Sequence, residues 1–410
     1  MKGSVILKLK LAVLFGGKST EHEISIISAI QAIGYINRDK YDVIPVYITK
    51  ENDFYIGEDV DKIEEYTHIP ELLKKSTKVV WIKDGNKVNL VRYPMKKLGN
   101  NVMTSVDIAF PIVHGTNVED GVLTGFLQTL GLPVVGCDVL SSAVGMNKYV
   151  MKTVLKDNGI SVLDCKCYTW TDYEDAEALM NRIEGAFKYP VIIKPINLGS
   201  SIGISKAGNR EELSEALELA FEFSRKILVE PAIVKLKEIN CSVLGDYEEA
   251  EASECEEPIN SDEILSFEDK YIGGSGAKGA KSGGAKTGGS KGMASLKRKI
   301  PADITDEQRS EVRKMAVDAF KCLGCSGVSR IDFMLDEESG KIYLNEINTI
   351  PGSLSFYLWE PLGKKYTQLL DDMIEIAIKQ DRENHKLVFS FETNVLEGVK
   401  LGGGSKGSKM

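Results

Sequence analysis

Short apolar runs alternate with amphipathic stretches along the first third of the chain. The apolar runs predict strands at LKLAVLF, YDVIPVYI, VDIAFPIVHG and LPVVGC, with helices beginning near Ser25 and near Gly121. Strands that alternate with helices in this way are typical of parallel sheets with crossover helices. The pattern therefore predicts an α/β protein whose first domain covers residues 1 to about 135.

The same alternation continues in the middle of the chain. A helix that carries Lys148 is predicted from about Met146, and Lys194 closes the strand that follows. Further on, one strand ends near Glu230 and another begins near Glu238. The loop LGSSIG after Lys194 offers hydroxyl and backbone N–H groups to an anion, although many hairpin loops share that composition.

A pair of apolar strands around the polar turn DEESG, within VSRIDFMLDEESGKIYLNEINTIPGS, carries the densest group of polar side chains. This pattern predicts a β-hairpin, in which side chains alternate between two faces. Arg330 and Asp332 then share one face of the first strand, and Glu346 and Asn348 share one face of the second. Three oxygen donors beside a guanidinium are typical of Mg²⁺ that carries a polyphosphate. A surface ion pair is the alternative, which the apolar neighbours on both strands disfavour.

Two polar loops in the first third, GGKSTEHE and HGTNVEDG, each follow a predicted strand. Ligands of such sheets lie beyond the carboxyl ends of the strands, so Glu21 and His114 are expected to face one crevice. The sequence leaves open that Glu21 caps its helix or pairs with the helix dipole, and that His114 is a structural histidine. The Gly-Lys-Ser of the first loop is not a P-loop, because the position of the wrapping glycine holds Ala12.

Length and composition narrow the class of protein. A chain of 410 residues is too long for one ordinary core, which suggests two or three domains. A net charge of −9 disfavours nucleic-acid and anionic-membrane partners, and no window approaches the ~20 apolar residues of a membrane span. A cytoplasmic protein is expected. The pairs Cys165-x-Cys167 and Cys322-x-x-Cys325 lack partners at zinc-finger spacing, so buried thiols are predicted.

Several of these motifs occur together in one known family. Over roughly residues 8 to 380 the chain resembles the D-alanine–D-alanine ligases of the ATP-grasp superfamily, through LFGGKSTEHEIS, HGTNVEDGVLTGFLQTLGLPVVG, SSAVGMNK, YPVIIKP, GSSIGISK, DKY, SRIDFML and YLNEINTIPG. The resemblance implies an ATP-grasp fold behind an N-terminal Rossmann-like α/β domain. The implied segments are 1–137 for that domain, 138–235 for the central subdomain, 236–385 for the C-terminal subdomain with the metal site, and 386–410 for a tail. The Gly/Lys-rich stretch 273–292 and the end of the tail have the composition of flexible segments.

The resemblance also implies an activity. A member of this family joins two D-alanines through an acyl phosphate, releases ADP and supplies peptidoglycan synthesis. Its substrates would be ATP and D-alanine, with two Mg²⁺ ions and Mn²⁺ as an alternative metal. A ligase with another acceptor, such as D-serine, D-lactate or a different amino acid, is the nearest rival, and a non-catalytic nucleotide-binding module is the second class. The oligomeric state is left open between a monomer and a homodimer.

Matching positions imply the roles of individual residues. Those for nucleotide and metal are Lys148 and Lys194 for the phosphates, Ser200 and Ser201 in the loop that closes over them, Glu230 for the adenine amino group, Glu238 for the ribose, Lys270 for the transferring group, and Asp332, Glu346 and Asn348 for the metals. Those for substrate and catalysis are Glu21 for the first ammonium, His114 beside it, Ser200 in the closing loop, Tyr271 as a mark of dipeptide-forming relatives, Arg330 and the Gly352 N–H for the oxyanion, and Tyr357 for the second substrate.

The chain departs from the family pattern at four places. Tyr357 stands five places after the Pro-Gly glycine, where the family usually has a small hydroxyl residue. Asn147 replaces the usual aspartate before Lys148, and Leu198 stands where a glutamate is frequent. The Gly/Lys-rich stretch directly follows the DKY motif. These departures bear on the acceptor rather than on the chemistry of ATP.

Overall fold

The computed structural model describes residues 8–199, 202–259 and 298–390. Predictions for Ser200, Ser201, Lys270, Tyr271, the stretch 273–292 and the end of the tail lie outside these described residues. Within them the chain forms three β-sheets flanked by helices. Each of the three segments that the resemblance implies contains one of the sheets, while the division into domains stays a prediction.

The first sheet has the strand order β6-β5-β4-β3-β2-β1-β7. Its strands are β1 Leu9–Gly16, β2 Tyr41–Ile48, β3 Phe54–Ile56, β4 Thr77–Asp84, β5 Lys87–Arg92, β6 Val102–Val106 and β7 Ile108–Pro111. β1 is parallel to β2 and β7, as the alternation predicts, whereas β2 to β6 pair antiparallel. The two-residue turn between β4 and β5 allows only antiparallel pairing there. The predicted strand LPVVGC forms only an isolated bridge between Val134 and Ala109.

Helices α1 His22–Tyr35, α2 Ile69–Lys75 and α3 Val122–Thr129 accompany this sheet. The first begins three residues earlier than the predicted Ser25. Phe15 of β1 and Ile33 of α1 are buried in one apolar core together with Leu369 and Met373 of the C-terminal helix. The first sheet and the C-terminal segment therefore share a core, which holds the loops of one in a fixed position relative to the loops of the other.

The second sheet has the order β10-β9-β11-β8 and is antiparallel. Its strands are β8 Lys166–Thr169, β9 Val191–Pro195, β10 Ser205–Ala207 and β11 Lys226–Pro231, and its helices are α4 Val139–Met146, α5 Lys148–Asp157, α6 Trp170–Tyr173, α7 Ala176–Ala186 and α8 Arg210–Phe223. The predicted helix from Met146 is thus two helices, because Asn147 has an extended backbone with φ −93° and ψ 95°.

The third sheet has the order β14-β13-β12-β15-β16. Its strands are β12 Leu236–Gly245, β13 Ala250–Pro258, β14 Arg298–Lys299, β15 Gly327–Asp336 and β16 Ile342–Asn348, with α9 Asp306–Cys322, α10 Tyr366–Asn384 and 3-10 segments Ile63–His68, Gly352–Leu358 and Glu360–Leu362 elsewhere. β15 and β16 form the predicted hairpin.

All seven cysteines carry free thiols. Cys325 is buried as predicted, but Cys165, Cys167 and Cys322 are only half-buried. In the described part of the chain, no helix is both long enough and apolar enough to span a membrane.

Candidate active site

The β15–β16 hairpin brings its four polar side chains together. Asp332 lies opposite Glu346 and Arg330 lies opposite Asn348 in the strand register. Arg330 donates from Nε and Nη2 to the two carboxylate oxygens of Asp332, over 2.7 and 2.8 Å. Asn348 donates from Nδ2 to Asp332 Oδ2 over 3.0 Å. Burial disfavours the charge of Arg330, but the ion pair with Asp332 outweighs it and raises the pKa of the guanidinium further.

The chemistry of these side chains fits a hard cation. Asp332 and Glu346 supply carboxylate oxygens. Asn348 uses its Nδ2 to donate to Asp332, so its amide oxygen can serve as a further ligand. Across residues 8–199, 202–259 and 298–390 no three His, Cys, Asp or Glu side chains are grouped to hold a metal. A cation here would therefore complete its coordination with the amide, water and ligand oxygens, as Mg²⁺ usually does.

Lys148 connects the start of α5 to the hairpin. Its Nζ donates to the carbonyl of Leu198 over 2.7 Å and lies 3.0 Å from Glu346 Oε2. Asn147 caps the helix, because its side chain accepts from the N–H of Val150 over 3.0 Å. Asn147, which departs from the family pattern, thus fixes the start of α5 and with it the backbone position of Lys148.

Lys194 lies at the end of β9 in a second buried charge cluster. Its Nζ donates to Glu230 Oε1 over 2.6 Å and to Asn345 Oδ1 over 3.1 Å. Lys152 pairs with the other oxygen of Glu230. Burial opposes ionisation of Glu230, but the two lysines lower its pKa to about 2. The sequence reasoning missed Lys152, although its spacing of four from Lys148 places both on one helix face.

The two acidic residues implied for adenine and ribose lie in different settings. The carboxylate of Glu230 is taken up by the two buried lysines, and its contact with adenine stays a prediction. Glu238 lies near the start of β12, opposite Met334, which is two residues beyond Asp332 on β15. Its contact with the ribose also stays a prediction.

Glu21 and the loop after β7 meet at one place. A Cβ atom on Gly115 would lie 3.0 Å from Glu21 Oε2, and one on Gly199 would lie 3.1 Å from it. Gly115 also has φ +83°, and its Cβ would lie 2.3 Å from Ser19 Oγ, so this position requires glycine. Within the described residues, the carboxylate of Glu21 does not cap α1. Glu21 nevertheless occupies the N-cap position of α1, so its pairing with the helix dipole stays open beside a role toward substrate.

His114 binds two other segments through its ring. The carbonyl of Ile350 lies 2.8 Å from Nδ1 and can only accept, so Nδ1 carries the proton. Nε2 then accepts from the hydroxyl of Ser28 over 3.0 Å, and that hydroxyl accepts from the N–H of Ser353. Burial, with a smaller effect of Arg330, lowers the pKa of His114 to about 4. A neutral His114 thus holds the 350–353 loop, as in the structural alternative.

This pKa predicts a dependence of stability on pH. An unfolded histidine titrates near 6.5, so between that pH and about 4 the unfolded chain binds the extra proton and stability falls as the pH is lowered. The shift corresponds to about 3 kcal/mol of unfolding free energy. Denaturant unfolding from pH 7.5 to 4 should show this additional loss relative to His114→Gln, which has no titrating ring. Parallel curves for the two proteins would contradict the assignment.

Glu119, five residues after His114, is a buried acid that the sequence reasoning missed. Its Oε2 accepts from the N–H of Gly115 over 2.9 Å, and its Oε1 accepts from the N–H of Ile350 over 3.1 Å. Burial, and next the charge of Glu21, raise the pKa of Glu119 to about 8, although its hydrogen bonds oppose this. No pattern in the sequence distinguishes Glu119 from the adjacent acid.

The loop after β16 has an unusual backbone. After Gly352, the residues Ser353, Leu354 and Ser355 have φ values of 51°, 52° and 49°, in the left-handed region. Each such non-glycine residue costs about 1–2 kcal/mol. The loop is stabilised where Ser353 donates to Ser28 over 3.0 Å and where Leu354 is buried in the core that includes Phe15.

Tyr357 is the last of the implied site residues. Its hydroxyl lies 3.3 Å from Glu256 Oε1, to which it donates, and the guanidinium carbon of Arg298 lies 3.8 Å from the centre of its ring. Arg298 also pairs with Glu256 over 3.0 Å. In this arrangement the hydroxyl of Tyr357 donates its hydrogen bond to Glu256 rather than to a ligand. Its role toward a second substrate stays a prediction.

Two family models and many known proteins match this chain in sequence. A family model described as D-ala D-ala ligase N-terminus matches residues 10–137, and one described as D-ala D-ala ligase C-terminus matches residues 154–283 and 285–375. The chain is 38% identical over 394 residues to a D-alanine–D-alanine ligase of Thermosipho melanesiensis, covering 96% of this chain and 99% of the relative. It is 40% identical over 388 residues to one of Thermoanaerobacter sp. strain X514, covering 92% and 98%.

Two solved structures have the same overall fold. The VanG D-Ala:D-Ser ligase of Enterococcus faecalis superimposes with a TM-score of 0.73 at 33% identity and covers 90% of this chain and 100% of its own. The D-alanine–D-alanine ligase of Coxiella burnetii superimposes with a TM-score of 0.72 at 29% identity, covering 92% and 98%.

Proposed function

The chain belongs to the D-alanine–D-alanine ligase family, and from this premise we propose how its residues carry out ligation. It has the ATP-grasp fold with an N-terminal domain, and it is an ATP-dependent, ADP-forming ligase that joins D-alanine to D-alanine for peptidoglycan synthesis. One observation supports the assignment of the reaction to specific residues. The hairpin cluster of Arg330, Asp332, Glu346 and Asn348 lies beside the buried amine of Lys148.

We assign the phosphates of ATP to Lys148 and Lys194. Both amines are buried and now pair with carboxylates of the protein, Glu346 and Glu230 respectively. Phosphate oxygens can replace these acidic partners, because a charge-assisted hydrogen bond to phosphate is of the same kind. Lys270 and the loop of Ser200 and Ser201 are proposed to complete this subsite, although they lie outside the described residues.

Asp332, Glu346 and Asn348 would hold two Mg²⁺ ions, with Mn²⁺ as an alternative. Bound there, the metal would neutralise negative charge on the phosphoryl group during transfer. Arg330 holds Asp332 in a fixed orientation through its two hydrogen bonds. The orientation of the metal ligand is therefore set by the protein before any cation binds.

In the proposed reaction, the carboxylate of the first D-alanine attacks the γ-phosphate of ATP, giving an acyl phosphate and ADP. The amine of the second D-alanine then attacks the activated carbonyl, and phosphate leaves. Arg330 and the N–H of Gly352 would stabilise the oxyanion that forms in this second step. Water must be excluded meanwhile, because an acyl phosphate hydrolyses readily.

We propose that D-alanine is also the preferred acceptor. Tyr271 supports an amine acceptor over D-lactate, through the resemblance alone, since it lies outside the described residues. D-serine is the second candidate, which the likeness to the Enterococcus faecalis D-Ala:D-Ser ligase favours. We also place the enzyme in the cytoplasm, where ATP is available, and leave a homodimer to be tested by light scattering.

The test of the proposed function is a measurement of ADP release with identification of the product. Every reaction contains ATP, Mg²⁺ and D-alanine as the first substrate. The acceptor is varied: it is D-alanine itself, added D-serine or added D-lactate. D-alanyl-D-alanine should form with the highest kcat/KM, and D-lactate should be a poor acceptor at neutral pH. A higher kcat/KM for D-serine would select the second candidate. ADP release without any dipeptide would contradict ligation.

A variant of Glu21 tests the first substrate subsite. If its carboxylate receives the ammonium of the first D-alanine, Glu21→Gln should raise the KM for D-alanine about ten- to a hundred-fold, as a lost charge-assisted contact does. The KM for ATP should change little. Glu23→Gln is the matched control, since Glu23 lies two residues after Glu21 and is an exposed partner of Lys50. Equal losses of ATP and D-alanine affinity would make Glu21 a structural residue.

A further inference from the structure

The carboxyl group of Glu119 joins two loops that are far apart in the sequence. Its Oε2 accepts from the N–H of Gly115, whereas its Oε1 accepts from the N–H of Ile350 and, over 3.4 Å, from the hydroxyl of Thr349. The side chain is 8% exposed. Burying an acid costs free energy unless its oxygens are hydrogen-bonded, and here three protein donors meet them.

Both loops belong to the site described above. Gly115 lies against the carboxylate of Glu21, and Ile350 precedes the oxyanion donor Gly352 by two residues. The peptide groups around Ile350 are fixed on both sides, because its carbonyl accepts from His114 and its N–H donates to Glu119. A displacement of Glu119 would therefore move the loop that carries Gly352 relative to Glu21.

We propose that Glu119 is a positioning residue for ligation, which fixes the 350–352 loop against the Glu21 subsite by bonding Gly115 and Ile350. The inference rests on the proposed function, in which Glu21 holds the first substrate and Gly352 stabilises the oxyanion. It assigns Glu119 no contact with the substrate. Glu119 acts by setting the distance between the site for the ammonium and the site for the oxyanion. Both sites must contact the same small substrate, so their relative position matters for the reaction.

A positioning role differs measurably from a purely structural one. If the oxyanion donor is misplaced, the acyl phosphate can still form but the second step slows, so water competes with the acceptor amine. ADP would then be released in excess of dipeptide. A merely structural residue would change the unfolding temperature and the amount of active protein, while each active molecule would keep one ADP per dipeptide.

The experiment measures ADP and D-alanyl-D-alanine in parallel for the full-length protein. Glu119→Gln turns one acceptor oxygen into an N–H₂ group that faces a backbone donor. We expect kcat for dipeptide to fall about ten- to a hundred-fold, the KM for ATP to stay within about two-fold, and the ratio of ADP to dipeptide to rise above one. The matched control is Asp120→Asn, because among the described residues Asp120 accepts from the N–H groups of Asn117 and Val122, its near neighbours in the sequence. It should behave as the parent protein.

A second variant keeps the test decisive if Glu119→Gln fails to fold. Thr349→Val removes one donor and preserves the carboxyl group, so we expect a loss of about two- to five-fold with the same rise in the ratio. A ratio of one in every folded variant would overturn the proposal. The same holds if Asp120→Asn matches Glu119→Gln. If the parent protein forms no dipeptide, the proposed function fails instead.

Discussion

Replacing Asp332 with Asn is expected to lower kcat by about a thousand-fold or more while the fold stays intact. Asp332 is the proposed metal ligand that accepts from both Arg330 and Asn348. An amide lacks the charge that attracts the cation, and its N–H₂ group would face one of these donors. Mg²⁺ binding and stabilisation of the transferring phosphoryl group should therefore weaken together.

The measurement is ADP release as a function of Mg²⁺ concentration, with circular dichroism to confirm folding. Glu346→Gln should give a loss in the same direction, because it removes the second carboxylate and the ion pair with Lys148. Asp303→Asn is the control, since Asp303 is an exposed partner of Lys299. Near-normal turnover of Asp332→Asn at limiting Mg²⁺ would remove Asp332 from the metal site.

The second large effect is expected for Arg330→Lys, with kcat for dipeptide lower by about a hundred- to a thousand-fold. The guanidinium now bonds both oxygens of Asp332 through Nε and Nη2. A lysine amine keeps the charge but cannot provide the planar pair of donors. Both the orientation of Asp332 and the stabilisation of the oxyanion should suffer.

Dipeptide formation and the KM for ATP are measured for Arg330→Lys and for Arg309→Lys. Arg309 lies on α9, where it pairs with Glu254 of β13 and donates to the carbonyl of Ala302, outside the proposed site. Loss of dipeptide formation in the first variant alone would support the assignment. A parent-like kcat in Arg330→Lys would show that charge without orientation suffices, contrary to the proposal.

The elements predicted best are those whose sequence pattern is compatible with only one kind of secondary structure and pairing. The hairpin around Arg330 and Asn348 followed from period-two alternation and a short polar turn, and its register in the structure pairs these residues directly. The parallel pairing of β1 with β2 and β7 followed from the intervening helices. The meander β3 to β6 was missed, because β3, β4 and β6 are half-buried and lack the long apolar runs of central strands, and the buried strand β5 is only six residues long and carries Asn89 in its middle.

Residues whose partners come from distant segments could not be predicted. Glu119 bonds Ile350, and Lys152 pairs with Glu230, so neither contact leaves a local signature in the sequence. The functional assignment of Glu21 came from the resemblance, whereas its place beside Gly115 required the fold. Local patterns thus indicate the strands and loops of the site, and tertiary packing determines which buried acids and lysines join it.

The left-handed turn at Ser353, Leu354 and Ser355 has a consequence for laboratory evolution. Glycine would adopt these φ values with far less strain, so selection for thermal stability alone is expected to favour glycine at Ser353 and Ser355, whereas at Leu354 it would lose a buried side chain. Glycine at the two serine positions would also widen the range of backbone conformations available next to Gly352. A library enriched only for heat resistance would therefore drift toward a more robust but slower catalyst, and turnover has to be selected in the same round.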